Sequence, residues 1–491
     1  MNIARIFENA PDLNVSAIMC DSRVKSRRAI FFCEPGLVND GHDFVAQAIA
    51  NGAVCVVHSR PLTGYDPKVV YIKVDDTVAA LNEFAAFFYG EVSRKLKVFG
   101  VTGTNGKTSI AWAIRHLVDP LLPCGYFGDV GIIYADQHLY KPTPVPTAVF
   151  VHKTMYDMRK AGMKAVAIET SSLGLDMHRF DTVAFACAVF SNLTHEHLDY
   201  HGTYENYYKA KLRLFRLLGA GQPAIINIDD PFGQRLVKDT VGRPVTYAVG
   251  QPADYRAVDI HLSFSRTDFT LIHGQQRFAV QTRLLALFNV YNLLAAIAAV
   301  HETMGTDLGS LVEMAGRIPQ VDGRMETIEQ GQPFGVLVDY ARTPEGCEKT
   351  LGYLRSVTAP GKRILAVLGS AGSRDVKKRP ELGAIVDKYC QVIVLTSEDP
   401  RQEDPAAIAA DIQAGIKDNA SSFIEDRYDA IRQSIELANS GDTVAILGKG
   451  DERFMVVNGQ KVPWMGDGPA ARQIIKQYLQ DTTEGENDED E

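Results

Sequence analysis

Tryptophan is scarce in this chain, two among 491 residues, and a Cys-x-x-Cys pair is missing altogether. The seven cysteines (Cys20, Cys33, Cys55, Cys124, Cys187, Cys347 and Cys390) are scattered and odd in number. That pattern argues against a disulfide framework or a zinc–cysteine cluster and predicts reduced, mostly core residues of a cytoplasmic protein. No apolar run is long enough to cross a bilayer, and the start Met1-Asn2-Ile3-Ala4-Arg5 lacks a signal-peptide layout. Membrane insertion is therefore not expected. No basic stripe is interleaved with aromatics, so nothing suggests nucleic-acid binding. Repeats and long low-complexity linkers are lacking as well.

The rest of the composition, 46% hydrophobic and 23% charged, is that of an ordinary soluble globular protein. The length predicts about three domains. The formal charge is −9, but Asp481–Glu491 alone carries seven acidic residues and no base. The body is thus near neutral, and 481–491 reads as an acidic disordered tail.

Chemistry gathers around Lys97–Ile110. Val98–Val101 reads as a buried strand that breaks into the turn Gly103-Thr104-Asn105-Gly106, and Lys107-Thr108 opens a helix through about Val118. This is the outline of a phosphate cradle. Glycines let backbone N–H groups curl round phosphate oxygens, and the helix N-terminus adds positive potential. Lys107 would reach the β/γ-phosphates and Thr108 would hold Mg²⁺. Val101 stands where the general P-loop has its first glycine, so a plain strand-to-helix turn is the competing reading.

Before this loop the chain reads as a compact α/β unit, with strands at Ala29–Cys33 and Ala53–His58 and helices at Phe44–Asn51 and Val78–Tyr89. Its polar loop Cys20-Asp21-Ser22-Arg23 suits either an anionic ligand or a surface turn. After the loop, the strand Ala165–Ile168 ends in Glu169-Thr170-Ser171-Ser172, at the edge where α/β sheets hold ligands. A second apolar run, Ala184–Phe190, leads to His195-Glu196-His197-Leu198-Asp199-Tyr200-His201. His197 or Asp199 there is a candidate for Mg²⁺ or its water, against a loop of satisfied histidines. On the next helix, Tyr204–Leu217, Lys209 and Lys211 read by default as a solvated face.

From about Val321, strands at Gly335–Val338, Arg363–Leu368, Val392–Thr396 and Thr443–Leu447 alternate with helices. Each ends in a polar or glycine-rich turn, which implies a binding crevice along one sheet edge.

Taken in order, these pieces resemble the Mur ligase family, in its UDP-N-acetylmuramoyl-tripeptide synthetase (MurE-type) branch. The likeness runs from about Ser16 to Leu479. Its N-terminal and central motifs are Asp21-Ser22-Arg23, Gly103–Thr108, Glu169–Ser172, His197–Gly202, Ala210–Phe215 and Phe288-Asn289-Val290-Tyr291-Asn292. Gly323-Arg324-Met325-Glu326, Asp339-Tyr340-Ala341, Lys378-Arg379-Pro380, Asp399-Pro400-Arg401 and Gly448-Lys449-Gly450 complete the set.

The resemblance implies an α/β fold in three domains. These are a small N-terminal UDP-substrate domain (1–94), a central P-loop ATPase-like domain (95–320) and a C-terminal Rossmann-like domain (321–480). It implies an ADP-forming carboxylate–amine ligase of peptidoglycan synthesis, acting as a monomer. ATP would phosphorylate the free carboxylate of UDP-N-acetylmuramoyl-L-Ala-D-Glu, and the amine of a free amino acid would attack the acyl phosphate. Cations and oriented N–H donors would stabilise the transferring phosphoryl. Lys107, His197 and Lys211 are the implied catalytic residues. ATP would meet Gly103, Thr104, Asn105, Gly106, Lys107, Thr108, Asn292, Arg324 and Asp339. Two Mg²⁺ would use Thr108, Glu169, His197 and Lys211, the last as a carbamate. Ser22, Thr143, Pro144, Ser171 and Arg179 would hold the UDP substrate, and Asp399, Arg401, Gly448 and Glu452 the amino acid.

Several positions depart from the family pattern. Arg342 replaces the histidine after Asp-Tyr-Ala, Met177 a glutamine, Ala286 a glycine, and Lys141–Thr147 blurs a Thr-Thr-Pro loop. The added amino acid is drawn two ways. Arg401 suits the distal carboxylate of meso-diaminopimelate. Asp399, in place of the family's asparagine, would neutralise that arginine and favour L-lysine. The reading leans to diaminopimelate. A folylpolyglutamate- or cyanophycin-synthetase-like ligase, and a non-ligating nucleotide-binding paralogue, are the alternatives.

Overall fold

A computed structural model describes residues 1–36, 39–139 and 145–488. The chain packs as two compact units. Met1–Arg256 with 272–276 and 291–314 form the first, and 257–271, 277–290 and 315–491 the second.

The first unit holds two sheets. Its N-terminal sheet is parallel, in the order β1 (Ala17–Met19), β2 (Ala29–Phe32), β3 (Ala53–His58), β4 (Val70–Lys73). Every residue of β2 is buried, because helices cover both faces, and so it reads as an unbroken apolar run. The larger sheet is built on β5 (Lys97–Thr102), with β6 (Cys124–Gly128), β7 (Gly131–Tyr134), β8 (Gln137–Leu139), β9 (Ala165–Glu169), β10 (Cys187–Phe190), β11 (Pro223–Asn227) and β12 (Arg243–Ala248). Their spatial order is β12-β11-β10-β5-β9-β6-β7-β8. β5 pairs in parallel with both β9 and β10, so the chain leaves it in opposite directions along the sheet. That reversal opens a crevice at the carboxyl ends of β5, β9 and β10, where α/β sheets place ligands.

Three further strands follow, β13 (Tyr255–Leu262), β14 (Thr267–His273) and β15 (Gln276–Thr282), and then the helix Leu287–Met304. In the second unit, β16 (Glu326–Thr327), β17 (Gly335–Asp339), β18 (Ile364–Leu368), β19 (Val392–Leu395), β20 (Ala420–Phe423) and β21 (Thr443–Leu447) form one sheet. Its order is β16-β17-β21-β18-β19-β20, parallel except for β16. β22 (Phe454–Val457) and β23 (Gln460–Pro463) make a separate antiparallel hairpin.

The C-terminal helix, Asp467–Asp488, continues past Asp481, where the sequence reading begins a disordered tail. It is anchored by a buried ion pair. Arg427 Nε and Nη2 each donate to one Asp467 oxygen at 2.7 Å, and Nη2 also donates to the Leu447 carbonyl at 2.9 Å. The two side chains are 1% and 0% exposed. Asp467→Ala would strand a guanidinium in the interior, so a loss of about 3–5 kcal/mol is expected. The shift of the urea transition reads it, and a change below about 1 kcal/mol would assign the anchoring elsewhere.

Candidate active site

The crevice of the first unit is built on the Gly103–Thr108 loop. Gly106 has φ 87°, the left-handed region, and a Cβ there would lie 2.4 Å from Asn292 Oδ1. A Cβ on Gly103 would meet Ser191 Oγ at 1.8 Å. Both positions therefore require glycine. The turn after β10 props the loop up. Thr104 N donates to the Asn192 carbonyl at 2.9 Å, Asn105 N to Asn192 Oδ1 at 2.9 Å, and Ser191 Oγ to the Asn105 carbonyl at 2.6 Å.

Lys107 begins the helix Lys107–Val118 and folds back over the loop, donating to the carbonyls of Gly103 (3.1 Å) and Thr104 (2.7 Å). Thr108 Oγ1 donates to Glu169 Oε2 at 3.1 Å. The other Glu169 oxygen accepts from Tyr126 OH and, at 2.8 Å, from Asp129 N. A small cavity here is lined by Lys107, Phe127, Gly128, Asp129, Glu169 and Ser171. A hydroxyl and a carboxylate meeting beside a phosphate loop are hard oxygen donors, which fits Mg²⁺.

Lys211 departs from its default reading. Lys209 is exposed and paired with Glu205 at 3.7 Å, whereas Lys211 is 1% exposed, its Nζ 4.4 Å from the centre of the Tyr207 ring. Burial pulls the Lys211 pKa well below its ordinary value, and nearby Lys107 adds to the effect. His197 has φ 55°, a left-handed conformation uncommon for a side-chain-bearing residue, and its ring meets Tyr207 edge-on at 6.3 Å. His201 is buried and bonds Ser172 Oγ at 3.0 Å, so it belongs to the packing.

Among the residues expected to hold the UDP substrate, Ser171 caps the helix Ser172–Asp176 through Gly174 N at 3.1 Å. Arg179 pairs with Glu34 at 2.6 Å, and Ser22 is buried against Gln47 at 2.7 Å. Thr143 and Pro144 lie outside the described residues.

In the second unit, Asp339 ends β17. Its oxygens accept from Met325 N (2.7 Å), Ala341 N (3.0 Å) and Thr350 Oγ1 (3.1 Å). Burial raises its pKa, and the Arg324 charge opposes that rise. The Tyr340 ring stacks with two guanidiniums, Arg324 at 4.1 Å and Arg342 at 4.2 Å, an arrangement with no signal in the sequence.

The amino-acid candidates separate, and Asp399 takes a partner the sequence reading did not name. Asp399 does not pair with Arg401. Lys449 takes it at 2.8 Å and also pairs with Glu452, while Val456 N donates to the same Asp399 oxygen at 2.9 Å. Arg401 has φ 58°, its Nε is buried without a hydrogen-bond partner, and among the described residues it forms no ion pair. Gly448 has φ 110°, and a Cβ there would come within 3.1 Å of Glu398 Oε2, a buried carboxylate oxygen also without a partner. Ala286 has φ 73°, which explains why glycine is the usual residue at that position.

A glycine loop between a parallel strand and a helix, with a lysine inside it and a carboxylate at the neighbouring strand's end, defines a P-loop nucleotide-dependent enzyme. Three successive stretches match descriptions of one family: "Mur ligase family, catalytic domain" over 14–89, "Mur ligase middle domain" over 101–300 and "Mur ligase, glutamate ligase domain" over 323–450. The chain is 37% identical over 480 residues to the UDP-N-acetylmuramoyl-L-alanyl-D-glutamate–2,6-diaminopimelate ligase of Halalkalibacterium halodurans, covering 96% of each. It is 36% identical to the UDP-N-acetylmuramyl-tripeptide synthetase of Borreliella afzelii, covering 94% of each. A solved structure of a UDP-N-acetylmuramoyl-L-alanyl-D-glutamate–2,6-diaminopimelate ligase matches with TM-score 0.73 and 30% identity over 98% of this chain and 99% of that one. The chain belongs to the Mur ligase family, whose members are ATP-dependent amide ligases with three α/β domains.

Proposed function

We propose that the chain joins meso-diaminopimelate to UDP-N-acetylmuramoyl-L-Ala-D-Glu in the cytoplasm, as a monomer, hydrolysing ATP to ADP and phosphate. The observation that carries the choice of amino acid is the pairing of Asp399 with Lys449. It leaves Arg401 as a guanidinium with no carboxylate of its own. A bidentate donor without an anion fits a substrate's distal carboxylate, which lysine lacks. Glu452 would take the distal ammonium, and Gly448 would let the substrate approach the backbone closely.

The assignments in the first unit follow the geometry described above. Gly103, Thr104, Asn105 and Gly106 would wrap the triphosphate, Asn292 would border it, and Lys107 would turn from its own loop carbonyls to the phosphate oxygens. Arg324 and Asp339, in the second unit, are carried over from the resemblance as nucleotide contacts. Thr108 and Glu169 would hold one Mg²⁺, and His197 with carbamylated Lys211 a second. The ions would supply positive charge to the developing phosphoryl transfer. Ser22, Ser171 and Arg179, with Thr143 and Pro144, would hold the UDP substrate. The domains of this reading are 1–94, 95–320 and 321–480.

Phosphate release should require both the UDP-dipeptide and the amino acid, which separates a ligase from a non-ligating paralogue. A folate- or cyanophycin-type enzyme would ignore the UDP-dipeptide. Diaminopimelate should exceed L-lysine in kcat/KM. Arg401→Ala should cost diaminopimelate roughly 10²-fold, the effect of truncating one partner of a buried charge pair, and leave lysine use nearly unchanged. Better use of lysine by the wild type, with no loss in Arg401→Ala, would refute the amino-acid assignment and leave the ligase reading intact.

A further inference from the structure

At the end of the first unit's larger sheet lies a cluster that none of this chemistry uses. His273 closes β14 at the turn 272–276, and His301 and Glu302 lie in the last turn of the helix Leu287–Met304. Each offers one ligand atom, and these atoms lie within 4.8 Å of one another. The two imidazole rings are 5.4 Å apart, nearly perpendicular, and all three residues are half-buried.

Hydrogen bonds on the Nδ1 side of each ring set its tautomer, while His301 Nδ1 itself lies 3.9 Å from Glu302 Oε1. His273 Nδ1 is 2.9 Å from the Asp254 carbonyl, which can only accept, so Nδ1 carries the proton and the Nε2 lone pair is unused there. The Tyr255 hydroxyl donates to Glu302 Oε1 at 2.7 Å and bonds His301 Nδ1, which must then be the donor. His301 Nε2 is thereby left as the basic nitrogen. An outer partner that fixes a ligating histidine's tautomer in this way is the usual support of a metal site. Glu302 Oε2 also accepts from Arg243 at 2.7 Å, which cancels much of its charge. The cluster therefore offers imidazole coordination more than negative potential. That selects a borderline ion of the zinc class over hard Mg²⁺. The negative end of the helix dipole adds to the attraction.

We propose that His273, His301 and Glu302 form a divalent transition-metal site of the zinc class that pins the 272–276 turn to the end of the Leu287–Met304 helix. Its role is structural. Asn292 stands nine residues earlier on that helix, roughly 13 Å along the axis at the standard rise, so the ion is remote from the phosphate loop.

The test uses the full chain, stripped with chelator and held in excess Mg²⁺. Co²⁺ should bind once per chain, develop the visible absorption of a low-coordinate nitrogen–oxygen site, and be displaced by one equivalent of Zn²⁺. His273→Gln and His301→Gln should each weaken binding at least tenfold, with unchanged circular dichroism. Zn²⁺ should raise the Tm of the wild type and of neither variant. Should a glutamine variant misfold, His273→Asn and Glu302→Gln provide the same comparison. No saturable Co²⁺ binding by the wild type, or equal affinity in the histidine variants, would overturn the site.

Discussion

Replacing Lys107 by alanine is expected to lower kcat/KM for amide formation by 10³-fold or more while binding of the UDP-dipeptide survives. The size follows from its place. Charge spreads over the transferring phosphoryl oxygens, and a preorganised cation aimed at them contributes several kcal/mol, about 1.4 per factor of ten. The selectivity follows from the local structure. Lys107 is half-buried and, among the described residues, bonds its own loop, so its removal takes away two hydrogen bonds and leaves the core intact. Ser22 and Arg179, proposed for the UDP substrate, are held by Gln47 and Glu34, and only Ser171 of that set lines the same small cavity as Lys107. Equilibrium binding of the UDP-dipeptide, measured beside phosphate release, checks both halves. Loss of the two together would make Lys107 a structural residue.

How much of this was legible in the sequence follows from how local each signal is. β3 and β21 coincide with their expected spans, and the helix after the phosphate loop ends at Val118 as expected, because apolar runs bounded by glycine and polar turns fix them. β13, β14 and β15 were not read. Their buried residues alternate with exposed ones, as in half-covered strands, and this period is weaker in sequence than an unbroken apolar run. The default reading of Lys211 as solvent-facing, which the resemblance sets aside, ignores helical phase. Residues two apart on a helix point to nearly opposite sides, so Lys209 on the solvent face already puts Lys211 inward. The partner of Asp399 was out of reach. Lys449 lies fifty positions away and approaches only because β21 and β19 each flank β18. Tyr126 on Glu169, and Arg324 on Tyr340, arise the same way, from tertiary packing with no spacing rule behind it.

Lys211 should carry a carbamate, and activity should depend on carbon dioxide. A lysine 1% exposed, close to a second lysine and with no carboxylate in ion-pairing reach among the described residues, is unfavourable as an ammonium. Burial lowers its pKa, against the opposing charges of Glu196 and Asp230, and so favours the neutral amine, the form that attacks CO₂. The amine nitrogen bonds to the carbon, a proton leaves to solvent, and the product is an anion. This exchange turns repulsion from Lys107 into attraction and creates an oxygen donor suited to Mg²⁺. Ligase activity should fall in CO₂-depleted buffer and return with bicarbonate. Labelled bicarbonate should give one slowly exchanging carbamate signal per chain by ¹³C NMR, absent from Lys211→Arg. Lys211→Ala should reduce kcat by roughly 10²–10³-fold, comparable to removing one preorganised electrostatic group. Lys211→Glu, which restores an anion on a shorter arm, should recover part of that loss where Lys211→Arg recovers none. Full activity with an unmodified amine on native protein kept under CO₂ would exclude the carbamate and leave Lys211 as a buried neutral base.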